Sequence, residues 1–228
     1  MIQWVRDKLK NRRTDAKTYW CKRFADDPDG WVAGGDRRWT DEVNYNSALE
    51  IMSTLTDVLE RHAAPFAGKS LLDAGCGVGH FTEMARKLGF EAAGTDFCEE
   101  AVQRAQQRYP ESVFRVADLV HLDLSQRFDV IIALNVLVAI SDPADWRRAL
   151  CGFAEHLAPD GIIVILETLR PPGEVIDSAA HVAFRSFSEY GEALGGAGLA
   201  VQHHEQVALS AENLSKDFLV IGHAPDRS

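Results

Sequence analysis

The sequence contains few cysteines, and they do not stand in pairs. Four cysteines occur at positions 21, 76, 98 and 151, and none belongs to a Cys-x-x-Cys motif. Disulfide frameworks and structural zinc sites depend on closely spaced cysteines. The spacing therefore argues against both kinds of structure, and it predicts four reduced thiols.

Long apolar runs are also absent. The longest run extends from Val130 to Ile140 and is interrupted by Asn135, whereas a membrane-spanning helix needs about 20 apolar residues. Charge appears as early as Arg6 and Asp7, which is too early for the apolar region of a signal peptide. Together these features predict a cytoplasmic protein with no membrane insertion.

Basic residues are in the minority. The chain has 24 lysines and arginines against 34 aspartates and glutamates, which gives a formal net charge of -10. Proteins that bind nucleic acid need a positive surface to meet the phosphate backbone. A basic cluster at Lys8, Lys10, Arg12 and Arg13 is the exception, and we interpret it as a solvated helix face. The composition thus predicts no nucleic-acid partner.

What the sequence does contain is a glycine-rich turn after an apolar segment. Residues 71–79 read Leu-Leu-Asp-Ala-Gly-Cys-Gly-Val-Gly. Glycines at such a turn permit tight backbone geometry and the close approach of a ligand, and the helix that follows offers free N–H groups. A dinucleotide fingerprint, Gly-x-Gly-x-x-Gly, would place its third glycine at position 80, where His80 stands. The spacing therefore disfavours NAD.

The order of an apolar strand, Asp73 and then Gly75, Gly77 and Gly79 resembles the first motif of the class I S-adenosylmethionine (SAM)-dependent methyltransferases. The resemblance covers about residues 66–225. It implies a Rossmann-like enzyme of the small-molecule type that uses SAM and releases S-adenosylhomocysteine. It also implies that residues 1–65 form a helical lid or extension and that residues 66–228 form the SAM-binding domain.

After residue 68, short apolar segments alternate with helical patterns, which is typical of a parallel sheet covered on both faces. The segment between the last two strands is too short for a crossover helix, so these strands should pair antiparallel. We therefore predict an α/β fold: a seven-stranded, mainly parallel sheet with one antiparallel strand, as in the resembled family, plus the N-terminal helices. The predicted strands are Ser70–Ala74, Glu91–Thr95, Val113–Ala117, Val130–Leu134, Ile162–Glu167, Ala200–Leu209 and Asp217–His223.

The strand ends supply the polar groups that a SAM pocket needs. Asp96, 21 residues after Gly75, can accept hydrogen bonds from both ribose hydroxyls, with Phe97 against the adenine. The resemblance implies that Asp118 accepts from the adenine amino group and that the backbone N–H of Leu119 contacts the ring. The predicted cofactor-binding residues are Asp73, Gly75, Cys76, Gly77, Gly79, Asp96, Phe97, Asp118, Leu119 and Asn135.

Asp73 and Asn135 have more specific expected roles. Asp73 is predicted to orient the glycine loop and the methionine amino group of SAM. Asn135 is a polar residue in an apolar run, which is costly unless it is satisfied, so we predict a role near the sulfonium or the acceptor. It is not followed by the Pro-Pro-Tyr of nucleobase methylases, and the aspartates of metal-dependent catechol enzymes are missing. We therefore predict no metal.

Methyl transfer is an in-line displacement in which the enzyme mainly aligns the acceptor, and a base is needed only for a poorly ionised one. His181 is the predicted catalytic base, with His80 and His121 as rivals. Glu167 and Arg170 follow the fifth strand and are candidates for shaping the acceptor pocket.

The sequence thus predicts a metal-independent methyltransferase that acts on oxygen or nitrogen of a small-molecule or glycan-type acceptor. Two alternatives remain open. One is a SAM-binding sensor or partner subunit without transfer activity. The other is an NAD-dependent oxidoreductase, for which the chain lacks a Tyr-x-x-x-Lys motif. The acceptor, the methylated atom and the oligomeric state are not defined by the sequence.

Overall fold

The sheet has seven strands in the order β3-β2-β1-β4-β5-β7-β6. The computed structural model describes residues 16–27, 29, 40–171, 181–210 and 215–225. Strands β1 to β5 pair in parallel, whereas β7 lies antiparallel between β5 and β6. This arrangement confirms the predicted fold class. The strands are β1 Ser70–Ala74, β2 Glu91–Asp96, β3 Val113–Val116, β4 Phe128–Leu134, β5 Leu157–Glu167, β6 Leu199–Ala208 and β7 Ser215–His223.

Six helices are described. They are α1 (residues 16–26), α2 Asp41–Ala63, α3 His80–Leu88, α4 Glu99–Arg108, α5 Pro143–His156 and α6 Phe187–Gly196. The Thr40 hydroxyl accepts a hydrogen bond from the Val43 N–H and caps α2. Of the predicted lid, residues 1–15, 28 and 30–39 lie outside the described residues, and so does the basic cluster at positions 8–13.

The core forms one layer on each face of the sheet, because successive strand residues point to opposite faces. Leu71 faces a layer built with α2 and α3, which includes Leu55. Its neighbour Leu72 faces a layer built with α5 and α6, which includes Phe153. Among the described residues, no helix is both long and apolar enough to span a membrane.

Strand β5 begins earlier than predicted. The prediction started it at Ile162, but the structure starts it at Leu157, directly after α5. Leu157 pairs with Phe128 of β4, and the register then shifts before the regular pairing of Ile162. The irregular pairing accommodates Pro159 because a shifted register does not need its missing N–H.

The topology defines where a ligand would bind. The chain proceeds outward from β1 to β3 on one side of the sheet and from β4 onward on the other side. Open α/β sheets bind ligands beyond the carboxyl ends of the strands at such a reversal. The glycine loop after β1 and the turn after β4 meet at this point.

Candidate active site

The glycine loop needs its glycines for conformation and for space. The φ angles of Gly75, Gly77 and Gly79 are 83°, 53° and 88°. Residues that carry a Cβ rarely adopt such positive angles. A Cβ on Gly75 would also collide with the side chain of Val136, just after β4. The glycine loop after β1 and the turn after β4 are therefore in direct contact at Gly75 and Val136.

Asp96 connects the end of β2 to the glycine loop. Its Oδ2 accepts from the Gly77 N–H at 3.0 Å, and its Oδ1 accepts from the Cys98 N–H at 2.8 Å. The residue is 6% exposed. Burial raises the pKa of Asp96, and the hydrogen bonds from Cys98 and Gly77 oppose that rise. The carboxylate is thus held in one orientation, with lone pairs left for further donors.

Asp73 is a second buried acid beneath the loop. Its Oδ2 accepts from the Thr82 hydroxyl at 2.7 Å. Burial raises the pKa of Asp73 to about 7; the Thr82 hydrogen bond lowers it, and the charge of Asp96 raises it further. The charge of Lys17 acts on Asp96, and the two neighbouring carboxylates together would still favour a cationic ligand such as SAM, which carries both an ammonium and a sulfonium group.

Helix α1 covers this loop. Phe24 lies so close to Gly77 that a Cβ there would come within 2.9 Å of the Phe24 ring. We call this contact the lid seam, and it joins α1 to the loop and to the start of α4. The lid seam consists of Cys21, Phe24, Val78, Phe97, Cys98 and Ala101. It explains why Asp96 is buried although it stands at the open end of a strand.

A polar clasp holds the C-terminal end of α1. Arg104 donates to the backbone carbonyl of Phe24. Arg108 binds the Asp29 carboxylate at 2.7 Å, and His80 Nε2 lies 2.6 Å from the Asp29 carbonyl oxygen. Burial lowers the pKa of His80. These contacts give His80 a structural part in the clasp, which weakens its claim to be a base.

Asp118 lies just after β3, at the same edge of the sheet as Asp96. Its Oδ1 accepts from the Val120 N–H at 3.0 Å and caps the short 3₁₀ turn Leu119–His121. The adjacent Ala117 N–H donates to the Asp96 backbone oxygen, so the ends of β2 and β3 stay together. The Asp118 side chain is 48% exposed and remains available to a ligand.

The turn after β4 contains a cluster that the sequence reasoning found only in part. Asn135 has a φ of 55°, and it is the non-glycine residue with positive φ among those described. Its Oδ1 accepts from Lys216 Nζ at 2.6 Å. Glu167 accepts from the Val138 N–H at 3.1 Å. Burial raises the pKa of Glu167 to about 7, and the charge of Lys216 opposes the rise.

Lys216 was missed because nothing in its local sequence marks it. The signal lies in strand pairing: Glu167 pairs with Asp217 across the antiparallel β5–β7 ladder, which brings residue 216 to the carboxyl end of β5. The Lys216 ammonium group donates a hydrogen bond to Asn135 Oδ1. Because this oxygen already has a cationic partner, it is poorly suited to contact a sulfonium. The amide nitrogen of Asn135 is then the group with donors for an acceptor molecule.

His181 lies under the other side of α1. Its ring stacks on Tyr19 with centroids 3.6 Å apart, and Trp20 approaches it edge-on at 6.3 Å. The Arg23 guanidinium lies 5.0 Å from the Trp20 ring centroid. Positions 21 and 24 of α1 therefore face the cofactor loop, whereas positions 19, 20 and 23 face the His181 segment. The helix thus contacts both the glycine loop and the His181 segment, which we call the cofactor half and the acceptor half of the candidate site.

The structure brings most of the predicted residues together. Asp73, the glycine loop, Asp96 and Phe97 form one connected unit. His121 is on the surface beside Asp118, 4.0 Å away. Within the described ranges, no His, Cys, Asp and Glu side chains cluster as a metal site would require. The individual roles of these residues stay predictions.

Comparison with known proteins identifies the family. The model of a family described as a methyltransferase domain matches residues 45–204, which is more than half of the chain. The chain belongs to this methyltransferase family, and the predicted class, the class I SAM-dependent methyltransferases, is confirmed. The match begins inside α2 and ends inside β6.

Several relatives have known activities. A dTDP-4-amino-2,3,4,6-tetradeoxy-D-glucose N,N-dimethyltransferase from Saccharopolyspora spinosa is 36% identical over 125 residues, which cover 53% of this chain and 50% of that protein. A ubiquinone biosynthesis O-methyltransferase from Mesorhizobium japonicum is 31% identical over 161 residues, covering 62% of this chain and 64% of that protein. The chain thus spans about half the length of the first curated relatives it matches.

A solved structure shares the fold over most of the chain. The magnesium protoporphyrin IX methyltransferase from Synechocystis PCC 6803, solved with bound SAM, has a TM-score of 0.70 at 21% identity. The alignment covers 92% of this chain and 98% of that chain. At this level of identity the likeness concerns the fold alone.

Proposed function

We propose that this protein transfers a methyl group from SAM to nitrogen or oxygen of a small-molecule or glycan-type acceptor without a metal ion. The observation that carries the proposal is the connected unit of glycine loop, Asp96 and Asp73 at the switch point of the sheet. Family membership supports it. A cytoplasmic location and a lid formed by residues 1–65 belong to the same proposal.

The cofactor half fits the chemistry of SAM. The two oxygens of Asp96 are oriented by backbone N–H groups and suit the ribose diol. Asp73 supplies negative charge for the ammonium group, and the turn at Gly75 and Gly77 offers backbone without side chains. Phe97 and Leu119 border the adenine end, with Asp118 at its rim.

The chain's residues have limited work to do in the transfer itself. When bound, SAM supplies a methyl group on a positively charged sulfur that leaves as a neutral thioether. The acceptor's lone pair attacks the methyl carbon in line with the breaking carbon–sulfur bond. Alignment of the acceptor by α1 and the post-β4 turn is the main contribution of the protein. A proton leaves a hydroxyl or amine acceptor, and we assign His181 as its recipient.

The acceptor half suggests what the acceptor looks like. Tyr19, Trp20 and His181 form an aromatic wall, and Lys216 and Asn135 add polar groups across the site. Aromatic faces suit sugar rings and planar phenols. The relatives named for an amino sugar and for a ubiquinone precursor match these two classes. We propose an amino sugar as the first acceptor to test, followed by a phenol.

Calorimetric titration tests the cofactor assignment. Purified protein is titrated with SAM, S-adenosylhomocysteine and NAD. We expect saturable binding of the two adenosyl ligands and none of NAD. Binding of NAD alone, or of no ligand by a folded sample, would contradict the proposal.

An acceptor screen tests the transfer. Protein that binds SAM is incubated with nucleotide-linked amino sugars, free amino sugars and phenols, and S-adenosylhomocysteine production is measured by mass spectrometry. Turnover that depends on an acceptor supports the enzyme. Binding of SAM without turnover on either class would favour the non-catalytic SAM-binding alternative.

A further inference from the structure

Two thiols meet inside the lid seam. Cys21 stands on α1, and Cys98 is the residue that precedes α4, two positions after Asp96. Burial raises the pKa of the Cys21 thiol, and the Cys98 thiol is near enough to Cys21 to raise it further. Both side chains belong to one apolar cluster with Phe24. The pair therefore lies where α1 packs against the segment between β2 and α4.

The other two cysteines do not share this arrangement. Cys76 is buried in a separate cluster with Phe114, and Cys151 is exposed on α5. Sequence spacing gave no indication of a pair, since positions 21 and 98 are far apart in the chain. A disulfide requires two cysteine side chains to approach each other within a narrow range of distance and orientation, and the shared cluster brings Cys21 and Cys98 together from separate elements.

We propose that Cys21 and Cys98 form a reversible disulfide that fastens α1 over the cofactor loop. The sulfur–sulfur bond forms as the two thiols lose two protons and two electrons. The oxidant is a peroxide, reduced to two molecules of water, or a low-molecular-weight disulfide, reduced to two thiols. A thiol reductant reverses the reaction by exchange.

The environment makes this reaction slow in the resting protein. Burial raises the pKa of Cys21 to about 12, and the neighbouring Cys98 adds to the rise. Since the thiolate is the reactive form, the pair stays reduced under ordinary cytoplasmic conditions. Opening of α1 exposes the thiols to oxidant, and reclosure then brings the sulfurs together.

The disulfide would control access to Asp96. The carboxylate is buried because α1 lies on the glycine loop at Phe24 and Gly77. A covalent bond two residues from Asp96 removes the states in which α1 is open. The apparent affinity for a ligand falls in proportion to the population that can admit it. The binding consequence rests on the proposed function, whereas the disulfide itself does not.

The first experiment maps the bond. A Cys151→Ser protein, which cannot form dimers through its exposed thiol, is treated with hydrogen peroxide or with oxidised glutathione. We expect an intact mass lower by two hydrogen atoms and, after digestion without reductant, a linked peptide pair that contains Cys21 and Cys98. The same pair should form in a Cys76→Ser, Cys151→Ser variant and be lost on adding Cys21→Ser. A different pairing, or no linked peptide, overturns the proposal.

The second experiment measures the lock. We expect amide hydrogens of residues 16–26 to exchange more slowly in the oxidised protein. Binding of S-adenosylhomocysteine should weaken by at least about tenfold and return after dithiothreitol treatment. A mapped disulfide with unchanged exchange would overturn the locking role. If even the reduced protein binds no adenosyl ligand, the proposed function fails, while the peptide map and exchange still decide the lock.

Discussion

At the scale of single residues, two neighbouring buried acids lie beside the glycine loop. Asp96 and Asp73 are both buried; backbone N–H groups bind Asp96, the Thr82 hydroxyl binds Asp73, and the charge of Lys17 opposes the rise that burial causes in the pKa of Asp96. A cationic ligand would therefore add to the partial balance that Lys17 gives Asp96. Burial raises the pKa of Asp73 to about 7, and Asp73 would lose its proton to solvent as a cationic ligand binds, because a nearby positive charge lowers the pKa of a carboxyl group.

Replacing Asp96 by alanine should weaken SAM binding by roughly 1.5 to 3 kcal/mol, the value of hydrogen bonds to a charged group. Asp96→Asn keeps the shape and should lose less. Calorimetry on folded protein measures the change. Asp123→Ala, at an exposed site of equal charge, serves as the control. Equal affinity for the Asp96→Ala and control variants would remove Asp96 from the site.

His181 has two possible contributions that one substitution separates. His181→Phe keeps an aromatic ring against Tyr19 but has no nitrogen to take a proton, whereas His181→Ala loses both. If His181 is the base, both variants should bind SAM normally and transfer at least about tenfold more slowly. Turnover is measured with an acceptor identified in the screen. Full activity of His181→Phe would leave only a packing role.

Lys216 should affect the acceptor rather than SAM. Lys216→Met removes the ammonium group that holds the Asn135 oxygen at 2.6 Å but keeps an unbranched side chain. We expect SAM affinity within about twofold of the original and kcat/KM for the acceptor lowered by about tenfold or more, the value of one hydrogen bond to a charged group. Lys87→Met, which changes a largely exposed lysine, is the control. A matching loss in SAM affinity would place Lys216 in the cofactor half.

At the scale of elements, α1 is attached to the sheet domain by the apolar lid seam and by polar contacts at its C-terminal end. Its end is held by the clasp of Arg104, Arg108 and His80 around Phe24 and Asp29. The Arg108 pair is partly exposed, and exposed pairs contribute about 0.2 to 1 kcal/mol. Such a weak clasp is compatible with the proposed role of α1 as a lid that opens between turnovers.

Removing the clasp should open α1 without unfolding the sheet. Arg108→Gln should speed amide exchange in residues 16–26 by up to about fivefold, as expected from the energy of an exposed pair, and leave β1 and β4 unchanged. Hydrogen exchange with mass spectrometry provides the measurement. Arg147→Gln, on the exposed side of α5, is the matched control. Acceleration throughout the sheet would indicate global destabilisation instead.

Local pattern predicted the elements well and their contacts poorly. Ser70–Ala74 and the other strands follow from apolar runs bounded by glycine, proline and acidic residues, and Asp96 follows from its distance to Gly75. Lys216, by contrast, reaches the site through antiparallel pairing with β5, and Cys21 reaches Cys98 because α1 folds back on the loop. Such long-range contacts carry no periodic signal in the sequence.

At the scale of the whole molecule, two buried carboxylates link folding to pH. Asp73 lies under the glycine loop and Glu167 lies at the end of β5, and burial raises the pKa of each to about 7. Both groups are therefore protonated more readily in the folded chain than in the unfolded chain, where such acids titrate near 4. The folded state binds more protons over this range.

Stability should consequently fall as pH rises. The stability that each raised pKa contributes is complete below about pH 4 and is lost as pH rises past about 7. This follows because the slope of the unfolding free energy against pH is set by the number of protons bound in the unfolded state minus the number bound in the folded state. Urea unfolding between about pH 5 and about pH 8 measures this loss. Wild type should lose more stability than Glu167→Gln, which cannot ionise at this position. The difference between the two proteins should change by no more than about 1.4 kcal/mol per pH unit, the limit for one group. Glu91→Gln, at an exposed site, should run parallel to wild type, and a parallel Glu167→Gln curve would contradict the raised pKa.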